Sequence, residues 1–147
     1  LDQELISKLK RRFTLVPICP EYEAGFGVPR EAMRLVGSSV RPTLLTIETG
    51  LDLTGQLDEW CDIRSQEVAG EGLCGIILKS RSPSCGLISA EIHSPEGAVV
   101  AEGRGLFVRA LMDQIPGLPL VESDALSALE AFDRFVEKVE KYSAGLA

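Results

Sequence analysis

Leu73-Cys74-Gly75-Ile76-Ile77-Leu78 is the most hydrophobic run in the chain, and Lys79-Ser80-Arg81-Ser82-Pro83-Ser84-Cys85-Gly86 follows it without a break. A nearly continuous apolar run of this length, entered through Gly70-Glu71-Gly72, predicts a strand buried on both faces, the habit of a parallel sheet. The residues after it cannot fill a core. Three hydroxyls, a proline, a cysteine and a glycine predict a rigid polar turn where the strand ends. Such a turn presents a thiol, hydroxyls and backbone N–H groups together, surroundings that lower a thiol pKa or hold an anion.

Working outward, residues 1–12 carry apolar side chains at Leu1, Leu5, Ile6 and Leu9, a helical spacing. Residues 13–18 are short, mostly apolar and β-rich, and predict a second buried strand, with Pro17 near its end and Cys19 at its exit. A loop over 20–28 leads to Pro29, read as the first position of a helix through residue 36. Further strands are expected at 42–48, 87–93, 98–100 and 118–121, with a turn at Ser94-Pro95-Glu96-Gly97. Helices are expected at 55–69, from Gly103-Arg104-Gly105 to 115, and from a Ser123 or Asp124 cap to 142. Strands separated by helices imply a single α/β domain over residues 1–147. Its expected form is a mainly parallel sheet with helices on both faces, a three-layer Rossmann-like arrangement. Ligands of such sheets lie beyond the carboxyl ends of the strands, where both Cys19 and Cys85 are expected.

Composition narrows the classes of function. The 147 residues are 45% hydrophobic and 25% charged, ordinary values for a globular domain. A formal charge of −7 argues against broad nucleic-acid binding, because a phosphate backbone requires a basic face. No run approaches the ~20 apolar residues of a membrane span, and the first residues have no secretory pattern. A cytoplasmic setting is therefore expected, where the four cysteines serve as thiols or metal ligands rather than disulfides.

The cysteines divide by context. Cys61, on a helix beside Trp60, and Cys74, inside the apolar strand, read as small core hydrophobes. Cys19-Pro20-Glu21 offers a thiol, a proline that withholds the next backbone donor, and a carboxylate able to shuttle protons. Cysteine thiolates are the preferred ligands of iron–sulfur clusters, and Cys-Pro pairs are frequent there. Arg81, Ser84, Gly103 and Arg104 are candidates for contacts to an anion or substrate; the last two precede a helix N-terminus. Lone His93 has no ligand pattern around it.

The stretches VPICPE (16–21), GFGVPREAMRLVG (25–37), TG (49–50), LCGIILKSRSPSCG (73–86), GRGLFVRALM (103–112) and PGLPLVES (116–123) resemble the family catalogued as domain of unknown function 523. The likeness is strongest to the first domain of its two-domain bacterial members. That family includes thiouracil desulfidases, α/β proteins with a [4Fe-4S] cluster held by three cysteines and a fourth iron open to sulfur. The resemblance implies Cys19 and Cys85 as two cluster ligands, Ser82 as a hydroxyl near the substrate, and Glu21 as the acid/base carboxylate. It also implies a departure, since the family's first ligand lies on a loop that precedes the residues present here. The sequence thus reads as shortened at its N-terminus relative to the family, with two of the three ligands. The expected function is iron–sulfur-dependent desulfuration of a small thiolated compound such as a thiolated nucleobase, a hydrolase of sulfur metabolism. The alternative is a degenerate, non-catalytic domain that binds a small anion or a partner protein. A third reading, a redox switch between Cys19 and Cys85, requires their β-carbons about 4 Å apart.

Overall fold

The computed structural model describes residues 1–146. Its order is α1 (Gln3–Lys10), a π-helical turn (Tyr22–Phe26), β1 (Met33–Val36), β2 (Thr43–Thr46), α2 (Thr54–Glu71), β3 (Ile76–Leu78), β4 (Ala90–His93), β5 (Val99–Gly103), α3 (Leu106–Gln114), β6 (Leu120–Glu122), a 3-10 turn (Ser123–Ser127) and α4 (Leu129–Leu146).

The sheet corrects the expected fold class. The strands form two separate small sheets instead of one mainly parallel, three-layer Rossmann-like sheet. One has the order β2-β1-β4-β5, and the other pairs β3 with β6 alone. In the larger sheet only β1 and β4 run parallel, whereas β1 with β2 and β4 with β5 are antiparallel. Two local readings account for much of the difference. Residues 29–36 were expected to be helical, yet Met33–Val36 is β1, with Leu35 and Val36 buried between β2 and β4. The Pro29 helix start is overridden by the tertiary value of a strand that pairs on both sides and buries Leu35 and Val36. Residues 13–18 were expected to be a strand and are not. Of their backbone N–H groups only that of Phe13 meets a backbone carbonyl, Leu9 at 2.8 Å. Among the described residues no strand lies beside them, and an apolar run without a hydrogen-bonding neighbour does not become a sheet strand. Between this segment and the 72–79 run lies an apolar cavity of about 840 Å³, bordered also by Phe107, Phe135 and Val139.

The helices follow their apolar stripes. Asp2 caps α1 by accepting from the Leu5 N–H at 2.8 Å, and α1 buries Leu5 and Leu9. On α2 the buried stripe is Leu57, Cys61, Ser65 and Val68, while Ile63 is 56% exposed. Gly72 closes that helix in the left-handed conformation, φ 70°. The C-terminal helix starts later than expected, because 123–127 form a 3-10 turn before α4. It buries Phe132, Phe135, Val136 and Val139. The expected turn at 94–97 joins β4 to β5, with Ser94 N–H donating to Ala98 O at 2.7 Å. Two cores result. One joins α2 and α3 to β1 and β4 around Leu57, Leu35, Ile92 and Phe107; the other joins α1 to α4 around Leu9 and Phe135. No helix among the described residues is long and apolar enough to cross a membrane.

Candidate functional site

The turn after β3 is held from several directions. Ser82 Oγ accepts from the N–H groups of Cys85 at 3.1 Å and Ser84 at 3.3 Å, and Gly86 N–H donates to Ser82 O at 2.9 Å. This is the hydroxyl-capped turn that a Ser-Pro-Ser-Cys-Gly string favours. The start of α3 then docks onto it. Leu106 N–H donates to Pro83 O at 3.1 Å, while Phe107 and Val108 donate to Ser84 O at 2.9 and 3.4 Å. First-turn N–H groups of a helix usually lack partners; here they are taken by the turn's own carbonyls.

The two cysteine-bearing loops meet at Ser84, which is 1% exposed. Its hydroxyl lies 3.0 Å from Ser82 Oγ, donates to Glu21 Oε1 at 3.4 Å, and reaches Cys85 Sγ at 3.7 Å. Glu21 is half-buried, and its other oxygen accepts from Arg30 Nε at 2.9 Å. Cys19 is exposed, and its N–H donates to Glu23 Oε2 at 2.8 Å. Burial pushes the Cys85 thiol up. The Ser84 and Ser82 hydroxyls act against that rise, and the nearby negative charge of Glu21 and of a Cys19 thiolate adds to it.

The turn also separates two spaces. Ser82 and Pro83 line a polar cleft of about 550 Å³, together with Glu21, Arg30, Lys79 and Arg81. Cys85 instead borders the apolar cavity beside 13–18. Arg81 stands exposed at the cleft mouth with φ 65°, a left-handed conformation uncommon outside glycine, and pairs with Asp124 at 2.6 Å. Gly103 ends β5, opposite Ala90. Arg104 lies beside Arg109, whose guanidinium pKa is lowered by burial and then by that neighbouring charge. Arg109 is spent on the carbonyls of Arg104, Val40 and Ser39. His93 is on β4 with Nε2 3.7 Å from Glu91, apart from the cleft.

The other two cysteines lie on the inner side of the turn: Cys74 borders the same apolar cavity as Cys85, and Cys85 packs against the core that holds Cys61. Cys61 is 2% exposed within the α2–α3 core, and burial, then the charge of Asp58, pushes its thiol up to about 12. Cys74 is half-buried against the second core, its Sγ 3.4 Å from Gly72 O. Cys61→Ala is expected to cost roughly 1–2 kcal/mol, read from the denaturant midpoint, and half-buried Cys74→Ala less.

The largest polar feature near the turn is one that sequence reading missed. Glu122, at the end of β6 and 9% exposed, accepts at a single oxygen from the N–H groups of Leu87 (2.7 Å), Ile88 (2.8 Å) and Ser89 (3.0 Å), and from Ser89 Oγ (2.7 Å). Its traces in the sequence were a carboxylate directly after the apolar run Leu118-Pro119-Leu120-Val121 and its place in the PGLPLVES stretch.

Comparison with known proteins bears on this arrangement. The family model described as 2-thiouracil desulfurase matches residues 1–123. The chain belongs to that family. The resemblance read from VPICPE and KSRSPSCG therefore holds. A solved structure, the [4Fe-4S]-dependent thiouracil desulfidase TudS, is 26% identical and superposes with a TM-score of 0.68, covering 91% of this chain and 83% of that one. No curated protein matches.

A family link to a cluster-dependent enzyme asks whether these residues suit a cluster. A [4Fe-4S] cluster is held by several cysteine thiolates. Among the described residues no group of three or more His, Cys, Asp or Glu side chains is placed to share a metal. Cys19 and Cys85 are the thiols nearest Glu21 and Ser84, Cys61 is sealed in the core, and Cys74 caps a backbone carbonyl. The donor set of the described residues does not fit a [4Fe-4S] cluster.

Proposed function

We propose that this member of the 2-thiouracil desulfurase family binds a small thiolated compound, of the thiolated-nucleobase class, in the polar cleft at the SPSCG turn. In this reading its own residues act as a binding domain. The supporting observation is the hydrogen-bonded chain from Arg30 through Glu21 and Ser84 to Ser82, which joins two sequence-distant loops at the cleft wall. A thiolated base is a flat, largely apolar ring with donors and acceptors on its edge, and a cleft with a few convergent polar groups suits such a ligand. Arg30 and Lys79 offer donors, and Glu21 offers an acceptor to a ring N–H. Ser82 contributes a hydroxyl at the wall.

Calorimetric titration of the full chain with 2-thiouracil, and separately with uracil, tests this reading. Binding of the thiolated base in preference to uracil is expected. Ser82→Ala should weaken it about tenfold, the usual effect of losing one well-placed hydrogen bond. No binding of either base, or binding indifferent to Ser82→Ala, would overturn it.

A second reading, [4Fe-4S]-dependent desulfuration, draws on family membership and on the nearness of Cys19 and Cys85 to Glu21. It needs a ligand beyond the donor set described above. Anaerobic reconstitution with iron and sulfide separates the two. A colourless, iron-free product supports the binding reading, whereas stoichiometric iron lost on Cys85→Ser would replace it with the enzymatic one.

A further inference from the structure

We infer that Glu122 is a positioning residue for the Ser82–Cys85 turn, acting through Ser89 and Arg81 to keep Ser82 on the cleft side and the Cys85 thiol on the cavity side. The inference rests on the binding reading for its functional meaning, but its geometry stands alone. Glu122 Oε1 collects four donors from residues 87–89, directly after the turn. One of them, Ser89 Oγ, passes the restraint on, because it accepts from the Arg81 N–H at 2.8 Å. Arg81 is the residue held at φ 65°, immediately before Ser82. A side-chain-bearing residue persists in that conformation only where its surroundings enforce it. The residues next to Glu122 add a second hold on the same end, since Asp124 N–H donates to buried Ser80 Oγ at 3.1 Å and Ser123 Oγ lies 3.4 Å from it. The carboxyl end of β6 thus grips the turn from both sides. Glu122 itself touches neither cleft nor thiol.

A carboxylate that merely tied strand ends together would affect overall stability and leave the turn's internal geometry alone. The distinguishing measurement is site-resolved alkylation of the four cysteines in the folded full chain, followed by mass spectrometry, with exposed Cys19 as the internal reference. Glu122→Ala should raise the rate at half-buried Cys85 relative to Cys19 by about tenfold, since the charge-assisted bonds that hold residues 87–89 are lost. Core residue Cys61 should stay protected. Glu122→Gln keeps an acceptor oxygen and should recover much of the wild-type ratio. Ser89→Ala breaks only the relay to Arg81 and should still accelerate Cys85, so the inference remains testable if Glu122→Ala does not fold. An unchanged Cys85-to-Cys19 ratio in Ser89→Ala, or an equal rise at Cys61 and Cys85 in Glu122→Ala, would overturn it. Failure of wild-type protein to bind 2-thiouracil would end the binding reading without touching the alkylation result.

Discussion

Gly105→Ala is expected to disrupt the SPSCG turn more severely than removal of any single hydrogen bond around it. Gly105 has φ −66°, so the backbone conformation itself would accept alanine. Space would not. An added β-carbon would stand 2.4 Å from the Ser84 carbonyl carbon, 2.5 Å from its oxygen and 2.7 Å from Cys85 N. All three are backbone atoms, with no flexible side chain to swing away. Overpacking a tight contact costs typically ~1–3 kcal/mol, and a backbone-on-backbone clash belongs at the upper end or beyond. Either α3 retreats from the turn or the turn distorts. Both outcomes break the bonds from Leu106, Phe107 and Val108 to Pro83 and Ser84. A fall in the denaturant midpoint by ~3 kcal/mol equivalent and loss of 2-thiouracil binding should be seen together. Gly55→Ala is the matched control. It lies in α2 with open space around its would-be β-carbon, and should be neutral or stabilising by up to ~1 kcal/mol. Equal stability of the two variants would show that α3 and the turn are not packed as described.

Stability should decline on acidification, and Glu122 should contribute to that decline. Burial alone would raise the Glu122 pKa, but the N–H groups of Ile88, Ser89 and Leu87 and the Ser89 hydroxyl overcome it and hold the carboxyl below its ordinary range. A carboxylate with a depressed native pKa binds its proton more readily when unfolded. Its contribution is therefore complete above the unfolded carboxylate value and is lost as pH falls through the lower native value. Glu31 is lowered through bonds from Thr49 and Glu48 and Asp52 through Thr54, so they push in the same direction; Glu31 is half-buried and Asp52 exposed. The exposed Arg81–Asp124 pair near the same end is worth little by comparison. Urea midpoints measured from neutral to strongly acid pH should fall for the wild type. Glu122→Gln should start less stable and show a shallower fall, because its side chain has no proton to gain. Parallel pH profiles for the two proteins would remove Glu122 from this role.

The readings that held rest on local chemistry. Apolar spacing located α1, turn and cap signals located α2, α3 and, with too early a start, α4, and Ser94-Pro95-Glu96-Gly97 located the β4–β5 turn, since capping and turn formation depend on residues a few positions apart. The polar turn after Leu78 was legible for the same reason. Its consecutive hydroxyls, proline and glycine have no use inside a core. KSRSPSCG and VPICPE carried the family resemblance that the family model supports.

What the sequence by itself determined was therefore the family, the presence of α1 to α4 and the chemistry offered by each loop. Tertiary structure alone decided which apolar runs became strands and how they paired. Residues 13–18 have strand composition but no strand beside them among the described residues, while Met33–Val36, behind a helix-favouring proline, found partners on both sides. Sheet membership is a property of two segments together, and one segment's composition cannot supply the other's N–H and C=O groups. The same holds for the site. Glu122 looks like any strand-end carboxylate in sequence, and only the arrival of Leu87, Ile88 and Ser89 beside it, more than thirty residues away along the chain, makes it an anchor.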